Sequence, residues 1–213
     1  ISKHDASEIT VNDTVKVDTI AEKTSAAGVT IDSVLLKDGN VDGVDVSALN
    51  TTVSSITQGI TEYDLWRATA NTSGNNTNIT SWARPNGTLQ GAYLGTGMSV
   101  DGTGYWTFPS TGIWKINFIG SFSCASSDNY VEVLLSASND NFSSEDLIAR
   151  TNDGNTGGSG GGAAMSIQAI LDITNTTNDK IEFKVDSVGS GSNLIGSTTT
   201  DYTTVSFVRL GDT

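Results

Sequence analysis

The sequence holds a single histidine, His4, in a polar segment near its first residue. A Ser-His-Asp or Cys-His relay needs an imidazole held beside its nucleophile within a formed site, and one histidine cannot build a multi-histidine metal centre. His4 therefore reads as a solvated residue. The one cysteine, Cys124, ends the run Phe118 to Cys124 and reads as a small buried side chain, with no intrachain disulfide available. Asp38-Gly-Asn40-Val-Asp42-Gly43 copies the first half of an EF-hand calcium loop, but the twelfth position, which must supply a bidentate Glu, is Leu49. A turn with local Asp and Asn side-chain bonds is the better reading. The run Gly154-Asn-Thr-Gly157-Gly-Ser-Gly160-Gly-Gly162 lacks the Lys-Ser/Thr of a phosphate loop and reads as a flexible connection.

Carboxylates are plentiful, and glycoside hydrolysis needs only two at a suitable separation. Glu132, Glu145, Asp146 and Glu182 are candidates, yet they fall mostly at solvent-facing positions of alternating strands and no motif singles out a pair. The expectation is a protein that is not an enzyme and carries no cofactor and no metal. Binding remains. The stretches 71–78, 152–162 and 187–193 are small and polar, as exposed loops often are. Trp66, Trp82 and Tyr93 offer flat faces for sugars, although tryptophans of β-sandwiches more commonly fill the core. Asn155 and Asn193, in two of the polar loops, complete the candidate ligand-contacting set.

Bulk composition narrows the partners. The formal net charge is −13, and three associated copies would carry three times that. Binding nucleic acid through counterion release needs clustered Lys and Arg, which 11 scattered basic residues do not supply. Anionic membrane surfaces repel such a chain too, and no apolar run approaches the roughly 20 residues of a membrane-spanning helix. The sequence starts at Ile1 without an initiator Met or a signal-peptide pattern, as a processed or trimmed chain would. Hydrophobic residues make up 36%, and the only prolines are Pro85 and Pro109. Low apolar content with abundant Gly, Ser, Thr, Asn and Asp favours many short strands joined by polar turns.

Three segments position these residues. In residues 1–45, Ile9, Val11, Val15 and Val17 share one parity, and Val29 and Ile31 repeat it. Strands so thin predict a β-rich shaft whose side chains are buried by three chains wrapping a shared axis. Over residues 46–62 the period changes: Val46, Leu49, Val53, Ile56 and Ile60 are spaced three, four, three and four apart, a heptad seam. Some 15 residues rich in Ser, Thr and Asn cannot sustain a helix alone, so the seam predicts a trimerisation neck. Residues 63–213 predict an all-β head of about ten strands. The expected strands lie near Leu65 to Ala70, Leu89 to Leu94, Met98 to Val100, Tyr105 to Phe108, Gly112 to Phe122, Tyr130 to Ser138, Asp146 to Thr151, Ala163 to Ile173, Lys180 to Val185 and Thr203 to Leu210. Trp114, Ile116, Phe118 and Phe122 mark one inward face, while Ile113, Ile119, Ile170, Val208 and Leu210 are apolar on the opposite parity. A lone sandwich would keep that second face polar, so its apolar residues predict burial against another subunit.

The stretch Phe108-Pro-Ser-Thr-Gly112-Ile-Trp114-Lys-Ile116-Asn-Phe118 resembles the signature strand of the complement/tumour-necrosis-factor jelly-roll superfamily, with Trp114 where that family has Tyr. The ending Val205-Ser-Phe207-Val-Arg-Leu210 is similar to its buried last strand. A group of such domains in marine tailed phages shares more: Leu65-Trp66-Arg67, Leu94-Gly-Thr-Gly97-Met98, and the terminal Phe207 to Asp212. Upstream, the text from Glu22 to Asp32 and from Val34 to Gly39 resembles a shaft module of phage fibre-like proteins. The resemblance implies a homotrimer with a ten-strand jelly-roll head and a place on the virion surface. The expected arrangement is a fibre, spike or capsid decoration whose N-terminal segment docks on a capsid or tail protein and whose head contacts host-surface glycans. A purely structural capsid decoration and a cellular carbohydrate-binding or adhesion head are the alternatives.

Overall fold

The computed structural model describes residues 29–31, 34–37, 40–41, 44–55, 59–90, 93–126, 128, 130–154, 161–189 and 191–213. The chain divides into two compact units, Ile1–Thr57 and Gln58–Thr213.

In the first unit, β1 (Val29–Ile31), β2 (Val34–Lys37), β3 (Asn40–Val41) and β4 (Val44–Asp45) form an antiparallel sheet in chain order. The alternation at Val29 and Ile31 is therefore a strand, paired within the chain to Leu36 and Val34. Helix α1 (Val46–Ser55) follows at once. Asp45 starts it, accepting a 2.9 Å hydrogen bond from the Ala48 amide and so satisfying one of the donors that a helix N-terminus leaves open. Val46, Leu49 and Val53 lie exposed along α1. Thr51 and Thr52 turn their hydroxyls back onto the Ser47 and Ala48 carbonyls at 3.0 and 2.9 Å, a bond that weakens helices slightly. Ile60 falls beyond the helix, after Gly59 in the left-handed region at φ 95°, and Ile56 lies outside the described residues.

The second unit is a two-sheet sandwich. Its strands are β5 (Tyr63–Ala68), β6 (Thr77–Asn78), β7 (Trp82–Ala83), β8 (Tyr93–Leu94), β9 (Ser99–Val100), β10 (Trp106–Thr107), β11 (Gly112–Cys124), β12 (Tyr130–Ser138), β13 (Asp146–Gly154), β14 (Gly161–Ile173), β15 (Lys180–Asp186), β16 (Asn193–Leu194) and β17 (Thr204–Gly211). One sheet runs β13-β12-β15-β10-β9, with β6 also on β15; the other runs β14-β11-β17-β5-β7, with β16 on β11 and β8 on β5. The long pairings are antiparallel. Each of the ten expected strands has a counterpart, and β6, β7 and β16 are added. The strand expected from Leu89 to Leu94 shrinks to Tyr93–Leu94, while Leu89 stands almost wholly exposed.

Alternation explains the layers. Along β11, Trp114, Ile116, Phe118 and Phe122 point inward, and Val131, Val133 and Leu135 of β12 with Ile181, Phe183 and Val185 of β15 face them. Aromatic rings join the sheets: Phe118 stacks on Phe183 at 5.0 Å, and Trp106 of the first sheet meets Trp66, Trp82 and Phe207 of the second at 5.3, 5.3 and 4.9 Å. The turn into β11 depends on Gly112, whose φ of 131° suits glycine and whose missing Cβ would overlap the Gly211 carbonyl oxygen. Gly112→Ala is expected to cost about 1–3 kcal/mol, measured as a lowered urea midpoint at unchanged m-value.

Candidate functional site

The outer face of the second sheet follows from the same alternation. Successive outward positions of β11 are Ile113, Lys115, Asn117 and Ile119, and the pairing register sets their neighbours. Lys115 lies between Ile170 and Val208, Asn117 between Gln168 and Ser206, and Ile119 between Ser166 and Thr204. Thus Ile170 and Val208, which the sequence assigns to a subunit interface, share one face with Ile113 and Ile119. Leu210 joins them, lining with Lys115, Gln168, Ala169 and Ile170 a shallow hollow of about 530 Å3. Ile119, Ile170 and Leu210 are 48%, 65% and 55% exposed. Lys115 is the long exposed charge among these residues, with the Asp172 carboxylate opposite Ile113 on β14 and Arg67 of β5 opposite Thr204. At one end the face is covered: Arg67, buried on β5, pairs with Asp201 at 2.7 Å and donates to the Thr198 carbonyl and to Gln90 Oε1 at 3.1 Å each.

The candidate sugar-stacking residues are only partly brought together. Arg84 lies over the Trp66 ring at 4.3 Å and over the Tyr93 ring at 4.4 Å, so its guanidinium fills the space between them. Asp64 fixes that guanidinium with bonds of 2.9 and 2.8 Å from Nε and Nη2, while also accepting from the Met98 amide at 2.6 Å. Trp66 and Tyr93 thus grip a cation of their own chain, and Tyr93 keeps about half its surface exposed. Trp82 is half-buried, meets Trp106 edge to face and donates its indole N–H to the Ile79 carbonyl at 2.7 Å, a structural arrangement. Asn193 lies elsewhere, on β16 opposite Ser123. Asn155 lies outside the described residues, as do His4, Asp38 and Asp42. Cys124 is buried, and burial with the Asp128 and Asp153 charges raises its thiol above the ordinary range.

A charged group on the outer face of the first sheet was not visible as a group in the sequence. Lys184 of β15 donates to Glu145 Oε2 at 2.6 Å and forms an ion pair with Glu182 Oε1 at 2.6 Å, while Asn78 donates to Glu182 Oε2 at 2.7 Å. Glu182 is 1% exposed. Burial raises its pKa, as does its hydrogen bond with Glu145, against the opposing pull of Lys184 and Asn78. Glu145 is held low by that same bond and by Lys184. Burial pulls Lys184 down, but the bonds and charges of the two carboxylates outweigh it and raise its pKa. The Lys184 ammonium stands 2.6 Å from one oxygen of each carboxylate and so occupies the place where a glycosidic bond would have to sit between acid and nucleophile. Glu132 lies on β12 and Asp146 opens β13, so neither joins this group as a partner of Lys184. Among the described residues no three His, Cys, Asp or Glu side chains gather as a metal site, and no helix is long and apolar enough to cross a membrane.

Together the two antiparallel sheets define an all-β sandwich of jelly-roll type. No family model matches the chain, and no curated protein matches it. Among solved structures it is similar to the Eiger tumour-necrosis-factor protein of S. frugiperda, with a TM-score of 0.55 over 73% of this chain and 96% of that one. Identity is 12%, so the likeness is one of fold: the second unit has the tumour-necrosis-factor-like jelly roll that the Phe108–Phe118 stretch implied.

Proposed function

We propose that the chain is a homotrimeric, non-catalytic virion-surface protein whose head contacts the host surface while its N-terminal segment attaches to the capsid or tail. One observation supports self-association above the others: Ile119, Ile170, Val208 and Leu210 share an outer sheet face on which Lys115 is exposed and Arg67 is buried in its pair with Asp201. Covering such aliphatic surface is favourable by about 25 cal/mol per Å2, and a second and third copy of the same face are its natural cover. The spacing of Val46, Leu49 and Val53 on α1 supports a second point of association. The virion role is supported by the ordered motifs of the sequence, from Leu65-Trp66-Arg67 to Phe207–Asp212, that resemble phage heads. Three heads per fibre, repeated over a particle, convert weak individual contacts into avidity.

Light scattering coupled to size exclusion tests the assembly. The wild-type protein is expected to have the mass of three chains. Ile170→Asp combined with Leu210→Asp, which places carboxylates from three chains against one another, is expected to give monomers of unchanged circular dichroism. A wild-type monomer at micromolar concentration would refute the association, and a trimer that does not adsorb to host cells would refute attachment.

A further inference from the structure

On the outer face of the first sheet lies a solvent-facing depression of about 420 Å3, within the range of small-ligand sites. Its lining includes Glu182 and Lys184 of β15, Asn78 of β6, Glu145 and the Tyr105–Phe142 pair. Two observations separate it from an ordinary solvated sheet face. Glu182 is buried to 1% exposure, yet its Oε1 accepts no aligned hydrogen bond among the described residues and meets the Lys184 ammonium only as an ion pair. Its neighbour Glu145 is 47% exposed, so one carboxylate of the pair is open to an incoming molecule. The second observation is aromatic. Tyr105 and Phe142 stack at 4.1 Å with 17° between their planes, and Phe142 holds its place at φ 61°, a backbone region that bulky residues rarely occupy.

We propose that this depression is a saccharide subsite of the attachment head, taking an uncharged or amine-bearing pyranose ring. The proposal rests on the attachment reading above and names the ligand class of that reading. A carboxylate accepts two neighbouring hydroxyls at once, and Asn78, whose amide nitrogen donates to Glu182 Oε2 and to the Thr103 carbonyl, adds its side-chain oxygen as an acceptor. The single ammonium is already held between two carboxylates, so the lining offers more acceptors than donors. Hydroxyl and amine donors fit that balance. A sialic or uronic acid does not, since its carboxylate would approach Glu145 and Glu182 in a chain of net charge −13. The Tyr105–Phe142 pair supplies apolar surface for the C–H face of the ring, as aromatic side chains do in small-ligand pockets.

The test uses the full chain, with Glu145→Gln and Phe142→Gly as variants. The first keeps an acceptor for Lys184 while removing the exposed charge. The second removes the ring and relieves the left-handed backbone, so folding is not endangered. Binding is read on immobilised neutral, glucosamine-type and sialylated oligosaccharides, and adsorption on host cells, with mass and Tm recorded for each protein. The wild type is expected to bind neutral or aminated probes, and both variants to lose about tenfold or more in apparent affinity at unchanged mass and Tm. Binding confined to sialylated probes, no oligosaccharide binding, or variants that bind like the wild type would overturn the subsite. If the variants adsorb to host cells as the wild type does, attachment stands and this site is wrong. If the wild type adsorbs to no host cell, the attachment reading fails and the subsite fails with it.

Discussion

Trp106→Ala is expected to cost about 3–5 kcal/mol of unfolding free energy, a large share of the about 5–15 kcal/mol that holds a domain folded. The indole is wholly buried on β10 of the first sheet, and the rings it meets at 4.9 to 5.3 Å all belong to the second. Removing it leaves a void between the sheets, and Trp66 and Trp82 each lose the ring on which they rest edge to face. Trp106→Phe is expected to cost much less. It keeps aromatic contact, and the discarded indole N–H is buried with no hydrogen-bond partner among the described residues, so no satisfied bond is lost. Urea unfolding at one protein concentration reads both, since an associating protein gains stability with concentration. Equal, small costs for the two substitutions would show that Trp106 does not couple the sheets.

The long strands were legible because two-residue periodicity accumulates over many positions. Thirteen residues of β11 alternate strictly between interior and surface, and the apolar residues of β12 and β15 recur at every second position. The same parity set Ile113, Ile119, Ile170 and Val208 apart, and the register places them on one face. Strands β6, β7 and β16 are two residues each, too short to carry a period, and β6 and the start of β16 fall in polar stretches that read as loops. The heptad spacing ran through Ile60, but Gly59 takes a left-handed φ of 95° and Ile60 lies outside the helix, a conformation that spacing alone does not encode. The charged groups were invisible for another reason: their members are distant in sequence. Asp64 and Arg84 are 20 positions apart, and Glu145 and Lys184 are 39 apart. Alternation assigns Glu182 and Lys184 to the outward face correctly, but it cannot show that Asn78, Glu145 and the Phe142 turn cover that face and bury both.

That covering makes Lys184→Met the second large effect. The ammonium is 9% exposed between two carboxylates, and deleting it leaves Glu182 charged and buried without its cation. Breaking one side of a buried pair costs about 3–5 kcal/mol. The loss falls on Glu182, because Glu145 is half exposed and water screens its share. The sign with pH is definite. Glu182 already has its folded pKa raised, first by burial and then by Glu145, so its contribution to stability is full below the unfolded carboxyl pKa and is lost as pH rises through the folded one. Glu145, held low, acts in the opposite sense, its contribution being lost only as pH falls through its depressed value. In the variant the ammonium no longer restrains Glu182, which then protonates at higher pH and sheds its unpaired charge. Urea midpoints followed from about pH 8 to about pH 5 are therefore expected to show the gap between wild type and Lys184→Met narrowing toward acid. Adding Glu182→Gln to Lys184→Met should recover part of the loss at neutral pH and flatten that pH dependence, since no buried charge is left to compensate. A gap independent of pH, or a double variant no more stable than Lys184→Met alone, would mean that the ammonium serves through packing of its aliphatic stem rather than through Glu182.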